Sequence, residues 1–364
     1  MNRGLWIALV LALAGCAGSS SAGVPALAPV AQAAAQGSGP TFRAFTAGST
    51  PGLPITAVPR DIVAGANGSM WFTDINTPAI GTISSSSKVT EFAAGLIAGS
   101  QPYSIVPGSD GNMWFSDQGG AIGRVTPSGK ITEFRSRFFK VFAPVGITAG
   151  TDDAMWVMGS GYSRSAIFRV SFKGNISVFK LPETLIPDGA LQSDTAGNLW
   201  FFASELNHKV VLVRRRVGGT LDVYATGLIT KGEPCCPNLS AKHIAIGPNG
   251  HPWFTMPYFG SLKTDSPQVG TFASGAPNFF DVSRSGIDFP VYPSGIVRKG
   301  KFLWFSGSDP IGMNGVIWRM NLAGKQAVYQ IPYNPAGFAA GSGSTLWFTA
   351  QLFNAPPQIV EATF

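Results

Sequence analysis

Charge, sulfur and imidazole are all scarce in this chain. Of its 364 residues only 12% are charged, about half the share of an average soluble domain, and there are three cysteines and three histidines. Three cysteines cannot staple a disulfide scaffold. Cys16 stands alone and Cys235 and Cys236 are adjacent, a spacing that excludes a zinc knuckle, a thioredoxin-like pair and a haem-attachment motif. No stretch of useful length carries helical periodicity, which excludes a helix bundle. The densest basic cluster, "VRRRV" at 213–217, sits in a strand-like segment without interleaved aromatics, so nucleic acid is not an expected partner. The apolar run "LWIALVLALA" at 5–14 is too short to span a bilayer.

What the chain has in quantity is turn material and core material. There are 45 glycines and 27 prolines, and 45% of residues are hydrophobic. Such a composition suits many short strands joined by tight turns. The net charge of +7 is modest, consistent with general surface charge or with closeness to anionic lipid.

The first residues read as an export signal: Arg3, the apolar run, then "LAGC" from Leu13 to Cys16. That ending resembles the lipobox of bacterial lipoproteins, in which cleavage precedes the cysteine and the cysteine is acylated. An ordinary secretory peptide cleaved nearby is the alternative. The resemblance implies a signal over 1–15, a lipid on Cys16 and a location in the cell envelope. Ala17 after the cysteine points to an outer membrane. Residues 17–40 hold no charge and no aromatic and read as a tether, leaving 41–364 as the folded domain.

That domain is a repeat. Trp71, Trp114, Trp156, Trp200, Trp253, Trp304 and Trp347 head similar pieces such as "MWFTD", "MWFSD" and "LWFTA", spaced 43, 42, 44, 53, 51 and 43 residues apart. Each unit carries four short apolar pieces; in the second they are 103–108, 112–117, 121–127 and 130–134, with "SDG" and "SGK" as hairpin turns. Four antiparallel strands in such a span make one blade of a β-propeller. Alternation along "MWFTD" sends Trp71 and Phe72 to opposite faces, so each aromatic wedges against a neighbouring blade. The last unit stops one strand short, and "TFRAFTAG" at 41–48 matches the missing piece. The expected fold is therefore all-β: a seven-bladed β-propeller of four-stranded blades, closed by the N-terminal strand completing the last blade.

The pattern, best displayed by "DGNMWFSDQGGAIGRVTPSGKITEF" at 110–134, resembles the repeat of the virginiamycin B lyase-like propellers. The likeness spans roughly 41–364 and is strongest in the first two blades. It implies opening of a cyclic lactone by elimination, with a histidine removing a proton beside a carbonyl while Mg²⁺ and carboxylates steady the enolate. The family favours an acid three positions after the tryptophan. Asp74 and Asp117 hold that place and are the candidates for a divalent ion, Mg²⁺ or Ca²⁺. Later copies have Gly159, Ala203, Met256, Gly307 and Ala350 there, so the acidic ring is carried by two blades.

Candidate bases follow from topology. His243 in "AKHIAIG" begins an innermost strand at the channel mouth; a strand-capping histidine is the plain alternative. His208 stands beside Glu205 in a top loop, where the two could share a proton or a metal. His251 falls in a bottom-face turn and is set aside. Asp288 and Asp309 could reach the channel, whereas Glu91 and Glu133 lie on outer strands as structural or solvent-facing groups. Cys235 and Cys236 could form a vicinal disulfide. Long loops over blades four to six, together with top-loop aromatics such as Tyr162 and Tyr258, suggest a top face binding a peptide, protein or carbohydrate. Binding by that face is the leading expectation, a metal-dependent carbon–oxygen lyase the alternative, and a purely structural envelope component the third reading.

Overall fold

The computed structural model describes residues 39–161, 165–207, 209–229, 243–256, 268–273, 275–282, 287, 291–309, 314–352 and 355–364. The expected Cys16 lipid, His208, the Cys235–Cys236 pair, Asp288, Tyr162 and Tyr258 lie outside these residues, as do 230–242 and 257–267 of the long top loops. The described residues form seven four-stranded antiparallel sheets. A strand β1 (Thr41–Thr46) comes first. The first blade is β2 (Pro59–Ala64), β3 (Met70–Asp74), β4 (Ala79–Ile83) and β5 (Val89–Phe92). The second is β6 (Pro102–Pro107), β7 (Met113–Asp117), β8 (Ala121–Val125) and β9 (Ile131–Arg135). Blades three to six repeat this order as β10–β13 (residues 143–180), β14–β17 (185–229), β18–β21 (244–281) and β22–β25 (292–331). In the seventh, β26 (Pro335–Ala340), β27 (Thr345–Leu352) and β28 (Ala355–Thr363) are joined by β1, giving the order β1-β28-β27-β26. Phe42 stands opposite Ala362 and Phe45 opposite Ile359. The expected closure is the observed one.

The first strand of every sheet touches the first strands of both neighbouring sheets, so seven innermost strands circle one axis. Starts of innermost strands and ends of second strands share one end, the top: Pro59 is opposite Asp74, Pro102 opposite Asp117 and Pro335 opposite Ala350. Among the described residues no helix is long and apolar enough to cross a membrane.

The aromatic pair at the head of each unit does what its alternation requires. Seven buried apolar clusters fill seven seams. Trp71 packs with Phe115 of the next blade, and Trp347 packs with Phe72 of the first. Trp200 meets Phe254, Trp253 meets Phe305 and Trp304 meets Phe348. A buried indole still needs an acceptor for its N–H. The turn residue four positions earlier supplies it in three blades: Asp110 to Trp114 at 3.1 Å, Asp152 to Trp156 at 3.1 Å and Asn249 to Trp253 at 3.2 Å. In blades one, two and five the phenylalanine ring lies across a glycine of the third strand. A Cβ on Gly81 would sit 2.0 Å from the Phe72 ring, and one on Gly123 1.9 Å from Phe115.

The hydroxyl after Trp-Phe closes the seam with a relay. Thr349 Oγ1 accepts the Gly337 N–H at 2.8 Å and donates to the Arg60 carbonyl of the first blade at 2.9 Å. Thr73 does the same between Asp61 and the Tyr103 carbonyl, and Ser116 between Ser104 and the Val145 carbonyl. Met158 and Phe202 replace the hydroxyl in blades three and four, where buried apolar bulk takes over.

Candidate site at the channel mouth

Asp74 and Asp117 end the second strands of the first two blades, and both are fully buried. Each ties its own blade's loops together. Asp117 Oδ1 accepts N–H bonds from Gln101 and Gly119, both at 2.6 Å, and its Oδ2 accepts the Ser100 hydroxyl at 2.6 Å. Asp74 Oδ1 accepts from Val58 at 2.9 Å, Asn76 at 3.0 Å and Thr77 at 3.2 Å, while Oδ2 has no donor. The difference is written in the aligned loops: Ala57 stands where the second blade has Ser100. Burial raises the Asp74 carboxyl above its ordinary value, against three backbone hydrogen bonds.

Glu91 and Glu133 do lie on outer strands, but they turn inward beside these aspartates and are only partly exposed. Glu133 Oε2 accepts the Ile97 N–H at 2.6 Å. At the matching position the first blade has Pro54, which owns no N–H. Burial, and then the charge of Asp74, pushes Glu91 up to about 7. Glu133 is raised by burial and by the adjacent Asp117 carboxylate. Oε1 of each glutamate is buried without a donor. Among the described residues no three His, Cys, Asp or Glu side chains gather as a metal-binding group. Asp117, whose two oxygens already accept N–H and O–H donors, does not fit a divalent ion, and at Asp74 the bare Oδ2 and the neighbouring Glu91 Oε1 fall well short of the roughly six oxygens such an ion takes.

The innermost strands start with a ring of residues at equivalent register positions. Immediately before Ile62, Ile105, Ile147, Leu191, Ile244, Ile296 and Phe338 stand Asp61, Ser104, Gly146, Ala190, His243, Gly295 and Gly337. The small members fit because the next innermost strand is close. A Cβ on Gly337 would be 2.6 Å from the Arg60 carbonyl oxygen, and one on Gly295 2.5 Å from Phe338 Cβ. Asp61 fills the place with its carboxylate: Oδ2 accepts the Ser104 hydroxyl at 2.7 Å and the Ile105 N–H at 3.0 Å, and Oδ1 accepts the Ile62 N–H at 2.9 Å. Its burial raises the carboxyl even so.

His243 holds the same register on the fifth blade. It is partly exposed, and its carbonyl receives a long 3.4 Å bond from the Thr255 N–H. Glu205 ends β15 opposite Leu185 and is partly exposed. Asp309 is buried and accepts both the N–H and the side-chain amide of Asn314, a loop brace. His251 sits in the turn closed by the bond from Gly247 N–H to the His251 carbonyl. It lines a bottom-face hollow of about 200 Å³ with Trp200, Arg214 and Tyr224.

One position further out, Arg60 and Tyr103 touch. The Arg60 guanidinium carbon lies 3.7 Å from the centre of the Tyr103 ring, a close cation–π stack. Arg60 and Asp61 are not flagged by the repeat, because its signature lies on the second strand and not on the first. The signal was available: "PRDI" is the one first-strand start with two adjacent charges.

A seven-bladed propeller with polar groups from the first, second and fifth blades at one mouth of its channel is the class that fold and site define. The Virginiamycin B lyase family model matches residues 42–225, and the chain belongs to that family. No curated protein matches the chain. Among solved structures, a streptogramin B lyase superposes with a TM-score of 0.69 at 21% identity, covering 89% of this chain and 97% of its own. A catalytically inactive His-to-Ala virginiamycin B lyase from Staphylococcus aureus with quinupristin gives 0.69 at 22%, covering 89% and 99%. The propeller YCF48 bound to D1 peptide gives 0.60 at 12%, covering 89% and 97%. At these identities the superpositions establish the fold.

Proposed function

We propose that this protein is a carbon–oxygen lyase that opens a cyclic ester by elimination at the top of its channel, with His243 as the base. Family membership carries the reading and moves it ahead of the ligand-binding role that the loops alone suggest. In such a reaction the base takes a proton from the carbon next to the one bearing the ester oxygen. The freed pair becomes a carbon–carbon double bond, the carbon–oxygen bond breaks, and its electrons leave on a carboxylate. A histidine suits the first event because an imidazole exchanges protons near neutral pH. His243 is the described histidine whose register position lies at the mouth. The Mg²⁺ associated with the family enters no step here, since among the described residues no three His, Cys, Asp or Glu side chains gather to hold it.

The test is ring opening of a type B streptogramin followed by mass spectrometry. Elimination leaves the mass unchanged, whereas hydrolysis adds water. Turnover with unchanged mass is expected, and His243→Ala should lower kcat by roughly 10²–10⁴-fold. Absence of turnover by the intact protein overturns the activity; a fully active His243→Ala protein overturns the choice of base. Envelope anchoring belongs to the same proposal and rests on "LAGC". Intact-mass analysis should find acyl chains on Cys16, and Cys16→Ala should release the protein from membranes.

A further inference from the structure

We propose that Arg60, stacked on Tyr103, is the oxyanion receptor of this mouth and takes the carboxylate that leaves when the ring opens. The inference rests on the elimination reading for its ligand but on separate observations for its site. Arg60 is only partly exposed, and its guanidinium makes no hydrogen bond or ion pair with any described residue. The neighbouring Asp61 carboxyl feels the Arg60 charge but makes no hydrogen bond to it. Both oxygens of Asp61 are occupied by the Ser104 hydroxyl and by the Ile105 and Ile62 amides. No described residue takes any of the five N–H donors of this planar fork, which is held flat against an aromatic ring.

The backbone beneath is also set. The Arg60 carbonyl is gripped by Thr349 from the seventh blade and the Tyr103 carbonyl by Thr73, so the two side chains rise from anchored positions. A guanidinium fork pairs bidentately with a carboxylate, the group on which the electron pair of the broken carbon–oxygen bond ends. Such a fixed positive charge serves a departing carboxylate without any metal. The acid-poor remainder of the ring, Gly146, Ala190, Gly295 and Gly337, offers no competing anion.

Binding separates this claim from catalysis. The probe is the linear hydroxy acid made by alkaline hydrolysis of a type B streptogramin, compared with its terminal methylamide. Calorimetry on the His243→Ala protein avoids turnover. The acid should bind at least about 10-fold more tightly than the amide. Arg60→Gln should abolish that preference while leaving amide affinity unchanged, and Arg60→Lys should keep only part of it. Equal affinity for acid and amide, or a preference that survives Arg60→Gln, overturns the receptor. A preference lost in Arg60→Gln, in a protein that never turns over the antibiotic, would uphold the receptor and sink the lyase reading.

Discussion

Asp74 and Asp117 occupy equivalent places, yet two neighbouring differences decide how each is held. Ser100 gives Asp117 a hydroxyl that Ala57 cannot give Asp74, and Ile97 gives Glu133 an N–H that Pro54 cannot give Glu91. An acceptor left bare inside a protein forfeits its full desolvation, whereas supplying a donor recovers part of it. Ser100→Ala should therefore destabilise the protein by about 1–3 kcal/mol, and Ala57→Ser should stabilise it by roughly 1 kcal/mol. Denaturant unfolding reads both. Opposite effects of removing and adding the same hydroxyl would establish the aspartates as loop staples. Sequence showed their spacing after tryptophan but not these donors, because the donors come from a loop some sixteen residues upstream that only folding brings across.

At the scale of an element, β5 and β9 carry a pH dependence. Glu91 and Glu133 hold their protons more tightly in the folded protein than the ordinary value of 4.5 allows in the unfolded chain. Between those values the native state binds more protons, so unfolding releases them and stability falls as pH rises. These two groups contribute most below about pH 4.5, and the Glu91 share fades as pH passes about 7. Thermal melts from pH 5 to about pH 8 should show a declining Tm. Glu91→Gln should flatten that decline, and an unchanged slope would refute the assignment. The outer-strand placement of both residues was legible from the repeat. Their inward turn was not, since a strand of alternating partly exposed residues leaves either face open to a lone glutamate. In β3, β7 and β27 the aromatic alternation was readable from period two, whereas the hydroxyl relay was not: its acceptor belongs to the next blade.

For the molecule as a whole, closure is the controlling event. Six residues of β1 cover the edge of β28 and place Phe45 in the seam with Phe72 and Trp347. Excising Thr41–Thr46 uncovers a strand edge and opens that seam. The shortened protein should lose cooperative melting and self-associate on sedimentation; a monomer melting like the parent would contradict the role of β1. Closure also sets the site, because the Thr349 bond to Arg60 spans the two ends of the chain.

The amino-acid sequence by itself determined the number of blades, the strand order, the wedge role of tryptophan and phenylalanine and the strand that shuts the ring. Those follow from local periodicity, turn chemistry and the count of repeats. Only the tertiary structure decided that Asp117 is a saturated staple while Asp74 keeps one bare oxygen, that Glu91 and Glu133 face inward, and that Arg60 stacks on Tyr103 with no described residue accepting from its guanidinium. Each of these depends on which groups from distant loops or adjacent blades arrive within hydrogen-bond reach, and no single repeat contains that information.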